Sequence, residues 1–332
     1  MSKITAAITA VGHYVPDTVL SNADLEKMVE TSDEWIQTRT GIKERRILTN
    51  DQPVSYMAVK AIENLLKQRN ISAEELDLIL VGTVTPDMIF PSTACVIQEK
   101  IKAVNAWGFD VLAACSGFIF TLITGAQFIE SGNYKKVLVV GADKMSAIVN
   151  YKDRNTCVLF GDGAGCVLLE PSDDPEYGIL DSILKVDGKG GNYLYMKAGG
   201  SLNPASHYTV ENDMHYVWQD GKFVFKDAVK GMADVSYEIM KRNNLSSDDI
   251  AYLVPHQANL RILTACADRM GLPREKVMIN IYKYGNTTAA TIPLCLSEYW
   301  EEGKIKRGDN LVLSSFGAGY TWGAILVKWS MK

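Results

Sequence analysis

The 332-residue sequence has no run of the roughly 18 apolar residues that a membrane-spanning helix needs. The short apolar stretch Ile4 to Val11 follows one Lys and lacks a small-residue cleavage site, so it does not read as a secretory signal. Basic charge is not in excess either: 34 Lys plus Arg stand against 39 Asp plus Glu, a net charge of −5. A nucleic-acid binder needs a basic face to neutralise phosphates, so that class is disfavoured. The six cysteines (Cys95, Cys115, Cys157, Cys166, Cys266, Cys295) are scattered without CxxC spacing, which suggests neither a zinc site nor a disulfide framework. Two glycine-rich segments, FGDGAG (Phe160 to Gly165) and FGAG (Phe316 to Gly319), lie between strand-like runs and are not followed by Lys-Ser or Lys-Thr. They fail the P-loop and dinucleotide fingerprints and read as tight turns. The expectation is a cytoplasmic protein with reduced thiols and no metal, membrane or nucleic-acid partner.

What is present is an ordinary globular composition, 47% hydrophobic and 22% charged, in a chain long enough for two core units. Strand-like runs (Leu78 to Val84, Lys136 to Gly141, Val158 to Leu169, Leu311 to Ser315, Gly323 to Trp329) alternate with helical-period segments (Ser55 to Arg69, Phe118 to Glu130, Phe225 to Asn243, Ala258 to Met270). This is a layered α/β pattern. AIENLLKQRNISAEELDLILV, from Ala61, resembles SYEIMKRNNLSSDDIAYLVP, from Ser236, when Ile71 is laid on Leu245, 174 residues on. Each reads helix, Asn, apolar residue, Ser, two acids, buried strand. A repeat at half the chain length suggests two copies of one α/β unit, although common turn chemistry produces similar connections independently. The boundary falls near Gly178, dividing 1–178 from 179–332.

In DVLAACSG, Asp110 to Gly117, a strand ends, small residues turn, and an apolar helix opens. Cys115 therefore stands at a helix N-terminus, where dipole and free N–H groups would lower its pKa and make it a nucleophile; a buried, inert thiol is the alternative. His256 ends the strand-like run from Tyr252 and precedes a helix, placing it where open α/β sheets carry their sites, or as a hydrogen-bonded core histidine. Asn286, after Gly285, suits a helix N-cap; its amide could otherwise donate to a carbonyl oxygen acquiring charge. TSDEWIQTRTGI opens with a Thr31-x-x-Glu34 capping box and sets Trp35 and Arg39 on one helical face, a pairing suited to a purine beside a phosphate or simply to surface packing. Lys226 with Lys230, and Arg261 with Arg269, form a basic patch or a solvated face.

Taken in order, TSDEWIQTRTGI, FPSTAC, DVLAACSGF, FGDGAG, VPHQANLRI, GNTTAA and FGAGYTWG span nearly the whole chain and closely resemble the β-ketoacyl-[acyl carrier protein] synthase III family of thiolase-superfamily condensing enzymes. The resemblance implies an α/β, thiolase-like, five-layered αβαβα fold of two duplicated halves, and a homodimer. It implies an acyl-CoA primer that acylates Cys115, followed by decarboxylative condensation with malonyl-acyl carrier protein, the first step of type II fatty acid biosynthesis. His256 and Asn286 would complete the catalytic set, and the backbone N–H groups of Cys115 and Ala318 would hold the oxyanion. Coenzyme A would meet Thr31, Trp35, Arg39, Arg154 and Asn259 as part of a substrate, with no resident cofactor. The carrier protein would meet Gln257, Ala258, Asn259, Leu260 and Arg261, with Lys226 beside them, and Phe90 would reach across the dimer to close the partner's acyl pocket.

Some positions depart from the family pattern. Ala318 stands where Gly is frequent, Asp268 beside Arg269 weakens the basic patch, and Gly188 to Asp220 has no clear match, leaving the pocket wall and acyl preference open. A polyketide-type or otherwise specialised ketosynthase, or a catalytically silent acyl-CoA-binding scaffold, is the alternative function.

Overall fold

The computed structural model describes residues 4–49 and 51–332. In chain order the first half contains β1 (Ala6–Tyr14), β2 (Val19–Ser21), α1 (Asn22–Leu25), α2 (Asp33–Thr40), β3 (Glu44–Arg46), α3 (Val54–Arg69), β4 (Leu78–Gly82), α4 (Thr93–Lys100), β5 (Trp107–Val111), α5 (Gly117–Glu130), β6 (Val137–Lys144) and β7 (Asp162–Pro171). The second half contains β8 (Gly178–Val186), β9 (Leu194–Met196), α6 (His207–Glu211), β10 (Val217–Gln219), α7 (Gly221–Arg242), β11 (Tyr252–Pro255), α8 (Leu260–Met270), α9 (Ile281–Tyr284), α10 (Thr291–Glu301), β12 (Asn310–Gly317) and β13 (Thr321–Lys328). Among the described residues no helix is long and apolar enough to cross a membrane.

Two mixed sheets repeat one topology. The first runs β1-β7-β6-β4-β5 and the second β8-β13-β12-β11. In each, an antiparallel hairpin side meets a parallel pair, β4 with β6 and β11 with β12. Where β5 flanks β4, the second half keeps only a parallel bridge from Val277 to Leu253. The α3 to β4 and α7 to β11 connections are the two segments whose sequences match at the 174-residue shift.

The layers follow from where apolar residues fall. α3 carries Val54, Met57, Ala58, Ala61, Ile62 and Leu65 on one stripe, and that stripe is buried against the outer face of the first sheet. α7 and α8 cover the outer face of the second. By contrast α5 and α10 are apolar on several sides and lie between the sheets, their Phe118, Leu122, Ile292 and Leu296 sharing a core with Val139 and Leu313. Strand β6 is buried along its whole length, which explains its unbroken apolar run.

Of the two expectations for FGDGAG, a tight turn and part of the Val158 to Leu169 strand-like run, the structure follows the second. From Asp162 it is already strand β7, and a Cβ at Gly161 or Gly165 would sit 2.3 Å from the Tyr284 carbonyl or 2.8 Å from the Leu294 nitrogen. The missing side chains let the 284–294 segment of the second half lie directly on this backbone.

Candidate active site

Cys115 lies in a tight turn, Ala114–Ser116, between β5 and α5. Ala114 takes a φ of +47°, a conformation costing a residue with a Cβ about 1–2 kcal/mol. The turn is held from the second half. Ser315 Oγ donates to the Cys115 carbonyl at 2.7 Å, Ser116 Oγ to the Thr321 carbonyl at 2.9 Å, and Thr321 Oγ1 to the Ala113 carbonyl at 3.0 Å. Gly317 makes this approach possible, because a Cβ there would stand 2.8 Å from the Cys115 nitrogen.

Burial pushes the Cys115 thiol up to about 12, and the Asp143 carboxylate adds to the rise. The direction is opposite to the depression expected from a helix terminus: the cysteine is half-exposed to the cavity, but its thiol is desolvated and lies near Asp143, and both raise its pKa.

His256 follows β11 and is fixed by its backbone N–H, which donates to the Ser314 carbonyl at 2.7 Å. Its ring is 1% exposed, and burial pushes its pKa down to about 3, so the imidazole is neutral. Nδ1 lies 2.7 Å from Thr291 Oγ1. Asn286 is seated by a backbone bridge to Phe160, its N–H donating to the Leu159 carbonyl at 2.8 Å. Its Oδ1 accepts the Thr288 N–H at 2.9 Å, so the amide both caps the local turn and leaves Nδ2 as a donor without a protein partner among the described residues.

Beneath this loop lies Asp143, at the end of β6 and fully buried. Its Oδ1 accepts from Thr83 Oγ1 at 3.0 Å, the Val84 N–H at 2.8 Å, the Thr85 N–H at 3.2 Å and Thr85 Oγ1 at 3.0 Å. Its Oδ2 accepts from Thr288 Oγ1 and from the Ala289 N–H. One carboxylate oxygen therefore serves each half of the molecule.

Cys115, His256, Asn286 and Phe316 line one cavity of about 710 Å³. Trp35 and Arg39 line the same cavity, and the indole has the Arg39 guanidinium 5.5 Å and the Arg154 guanidinium 5.4 Å from its ring centroid. Arg154 is steadied by donation to the Glu30 carbonyl at 3.0 Å. Ser32, not Thr31, caps α2, accepting the Trp35 N–H at 3.1 Å; Thr31 Oγ1 is buried without a partner among the described residues. Asn259 caps α8 through Oδ1 and donates Nδ2 to the Arg39 carbonyl at 2.8 Å, tying the two helices together.

Among the residues expected to meet a carrier protein, Gln257 is fully buried. Its Nε2 donates to the Pro255 and Met278 carbonyls and its Oε1 accepts the Asn280 and Ile281 N–H groups. Gln257 is a strut behind His256, not a surface contact. Ala258 and Leu260 are half-buried, whereas Arg261, stacked over Phe225 at 4.8 Å, and Lys226 are exposed. Lys230 and Arg269 are each paired with Asp234, at 3.3 Å. Ala318 stays out of the positive-φ region in the β12–β13 turn and does not line the cavity. Phe90 is 82% exposed, away from this chain's own pocket. The unmatched segment turns out to supply cavity wall: Leu194, Trp218, Gln219 and Asp220 face it. Sequence reading passed over Asp143, Ser315, Thr321 and Thr291; the only available sign of the first was an acid directly after the apolar run Val137 to Ala142.

Comparison with known proteins agrees with this geometry. Family models for 3-oxoacyl-[acyl-carrier-protein (ACP)] synthase III match residues 109–188 and, for its C-terminal part, 240–329. A β-ketoacyl-[acyl-carrier-protein] synthase III of Chlorobaculum tepidum is 60% identical over 98% of this chain and 99% of its own. The crystal structure of 3-oxoacyl-[acyl-carrier-protein] synthase III from Aquifex aeolicus superposes with a TM-score of 0.90 at 45% identity, covering 98% of this chain and 100% of that one. The priming β-ketosynthase of the R1128 polyketide pathway does so with a TM-score of 0.91 at 33% identity, covering 99% and 97%. With three chemically complementary side chains in one cavity, a repeated thiolase-type topology and this likeness along almost its entire length, the chain belongs to the β-ketoacyl-[acyl carrier protein] synthase III family, the condensing acyltransferases that initiate fatty acid biosynthesis.

Proposed function

We propose that Cys115 accepts an acyl group from a short or branched acyl-CoA and passes it to the carbanion formed when malonyl-acyl carrier protein loses CO2. The observation that carries this reading is the convergence of Cys115, His256 and Asn286, from three separate elements, on one cavity. In the first half-reaction Sγ attacks the thioester carbonyl, and coenzyme A leaves with the proton that the thiol gives up. The tetrahedral oxyanion is held by the backbone N–H of Cys115, and that of Ala318 joins it from the β12–β13 turn, which packs on the Cys115 backbone at Gly317 although the Ala318 side chain does not face the cavity. In the second, the malonyl C–C bond breaks and its electron pair becomes an enolate. The Nε2–H of His256 and the Nδ2–H of Asn286 stabilise the oxygen of that enolate, whose carbon attacks the acyl group on Cys115. The thiolate is expelled and takes up a proton, giving β-ketoacyl-carrier protein and CO2. Donors held in place inside a buried site need no reorganisation as charge develops, which is where the acceleration arises.

Coenzyme A is a substrate here, and the cluster of Trp35 with the Arg39 and Arg154 guanidiniums supports a site for its adenine and phosphates, with Thr31 and Asn259 beside it. Exposed Arg261 and Lys226, with no carboxylate within ion-pair distance among the described residues, support docking of an acidic carrier protein. The enzyme is read as a cytoplasmic homodimer. Support for the dimer comes from the edge of β5, which among the described residues pairs only with β4, from Leu112, exposed directly after that strand, and from the exposed apolar pair Ile89 and Phe90. Intact-mass measurement after adding acetyl-CoA, isobutyryl-CoA and longer thioesters tests the nucleophile and reveals the primer together. One acyl adduct is expected, absent in Cys115→Ala. No adduct with any primer would favour a silent acyl-CoA-binding protein.

A further inference from the structure

Because burial keeps the His256 ring neutral, it carries one proton, on Nδ1 or on Nε2. To donate to an oxygen in the cavity that proton must be on Nε2, and Nδ1 is then a buried lone pair needing a donor. Among the described residues the only partner of Nδ1 is Thr291 Oγ1 at 2.7 Å, on a side chain 2% exposed. That hydroxyl has one other acceptor in reach, the Thr288 carbonyl at 3.0 Å. The same carbonyl already takes the Thr291 backbone N–H. Turning the hydroxyl hydrogen onto Nδ1 therefore leaves no buried group unpaired, while an apolar side chain at 291 would strand Nδ1 in either tautomer.

We infer that Thr291 is a positioning residue for condensation, its hydroxyl donating to Nδ1 of His256 and so holding the ring in the tautomer that presents Nε2–H to the substrate. The inference rests on the catalytic reading of His256. It also explains why the first residue of α10 carries a hydroxyl amid wholly buried neighbours: Ala290, Ile292 and Leu294 are all within 1% of full burial.

The test compares Thr291→Val, Thr291→Ser and His256→Ala in single-turnover condensation by pre-acylated enzyme, alongside ring-nitrogen NMR of histidine-labelled protein. Thr291→Val should lower the condensation rate roughly 10- to 100-fold, the range for leaving one buried polar group unpaired, with KM and acylation of Cys115 little changed. Thr291→Ser should restore the rate. The His256 ring nitrogens should change their signals in the Val variant and regain them in the Ser variant, which a general packing defect would not produce. If the Val variant does not fold, Thr291→Ala carries the same comparison. A normal rate in Thr291→Val beside a slow His256→Ala overturns the role of the hydroxyl alone. A normal rate in His256→Ala overturns the catalytic reading, and the role of Thr291 with it.

Discussion

Asp143→Asn perturbs the joint between the two halves without changing its volume. The carboxylate accepts four hydrogen bonds on Oδ1 from the first half and two on Oδ2 from the second. An amide has one oxygen. Its cheaper orientation keeps that oxygen on the four donors of the Thr83–Thr85 segment and turns the NH2 toward Thr288 and Ala289. The Thr288 hydroxyl can rotate to accept, but the Ala289 N–H, 3.2 Å from Oδ2, is left facing a donor. One buried N–H without an acceptor costs about 1–3 kcal/mol, the expected loss of unfolding free energy in urea. The same change loosens the loop that carries Asn286, so condensation should slow. Yet it removes the negative charge that helps raise the Cys115 thiol, so alkylation of Cys115 by iodoacetamide at fixed pH should become faster. A Cys95→Ser background keeps that assay specific, since Cys95 is the exposed cysteine and the remaining four are buried. Unchanged stability, or slower alkylation in the Asn variant, would refute the reasoning.

Arg261→Glu should mainly raise KM for malonyl-acyl carrier protein, affecting it more than acylation by acyl-CoA, with the effect shrinking at high salt; an unchanged KM rejects the docking surface. The His256 ring supplies a pH dependence of stability. Its pKa falls from an ordinary 6.5 to about 3 on burial, so below pH 6.5 the unfolded chain binds a proton that the folded chain refuses. Its contribution to stability is complete above pH 6.5 and is lost as the pH falls toward 3, amounting to roughly 2–3 kcal/mol by pH 4.5. Urea titrations of wild type and His256→Gln at pH 7 and 4.5 should show a smaller acid loss in the variant, and an equal loss would contradict it.

The elements that position the site were largely legible because their periodicities are strong and local. α3, α5 and β6 announce themselves through an apolar stripe, an all-round apolar helix and an unbroken apolar run from Val137 to Ala142. Residues that act through distant partners were not. Gln257 looks like part of an exposed surface motif because its neighbours Asn259 and Arg261 are polar, and only the chain of four hydrogen bonds behind it shows that it points inward. The glycines of FGDGAG suggest a turn, whereas their use is to admit a segment from more than a hundred residues away, which no local rule reports. Asp143 is hidden by the same cause: its donors come from two stretches about 60 and 145 residues away. The thiol of Cys115 illustrates competing effects. A helix terminus is visible in sequence, but the burial that opposes it is not.

The most direct test of the central claim is to divide the reaction at the acyl-enzyme. His256→Ala and Asn286→Ala should each be acylated on Cys115 at near the wild-type rate, yet release CO2 from malonyl-acyl carrier protein far more slowly, because only the second half-reaction places charge on an oxygen that both side chains meet. The double variant should lose little beyond the single ones, as groups acting as a unit do. Equal losses in acylation and condensation would contradict the account.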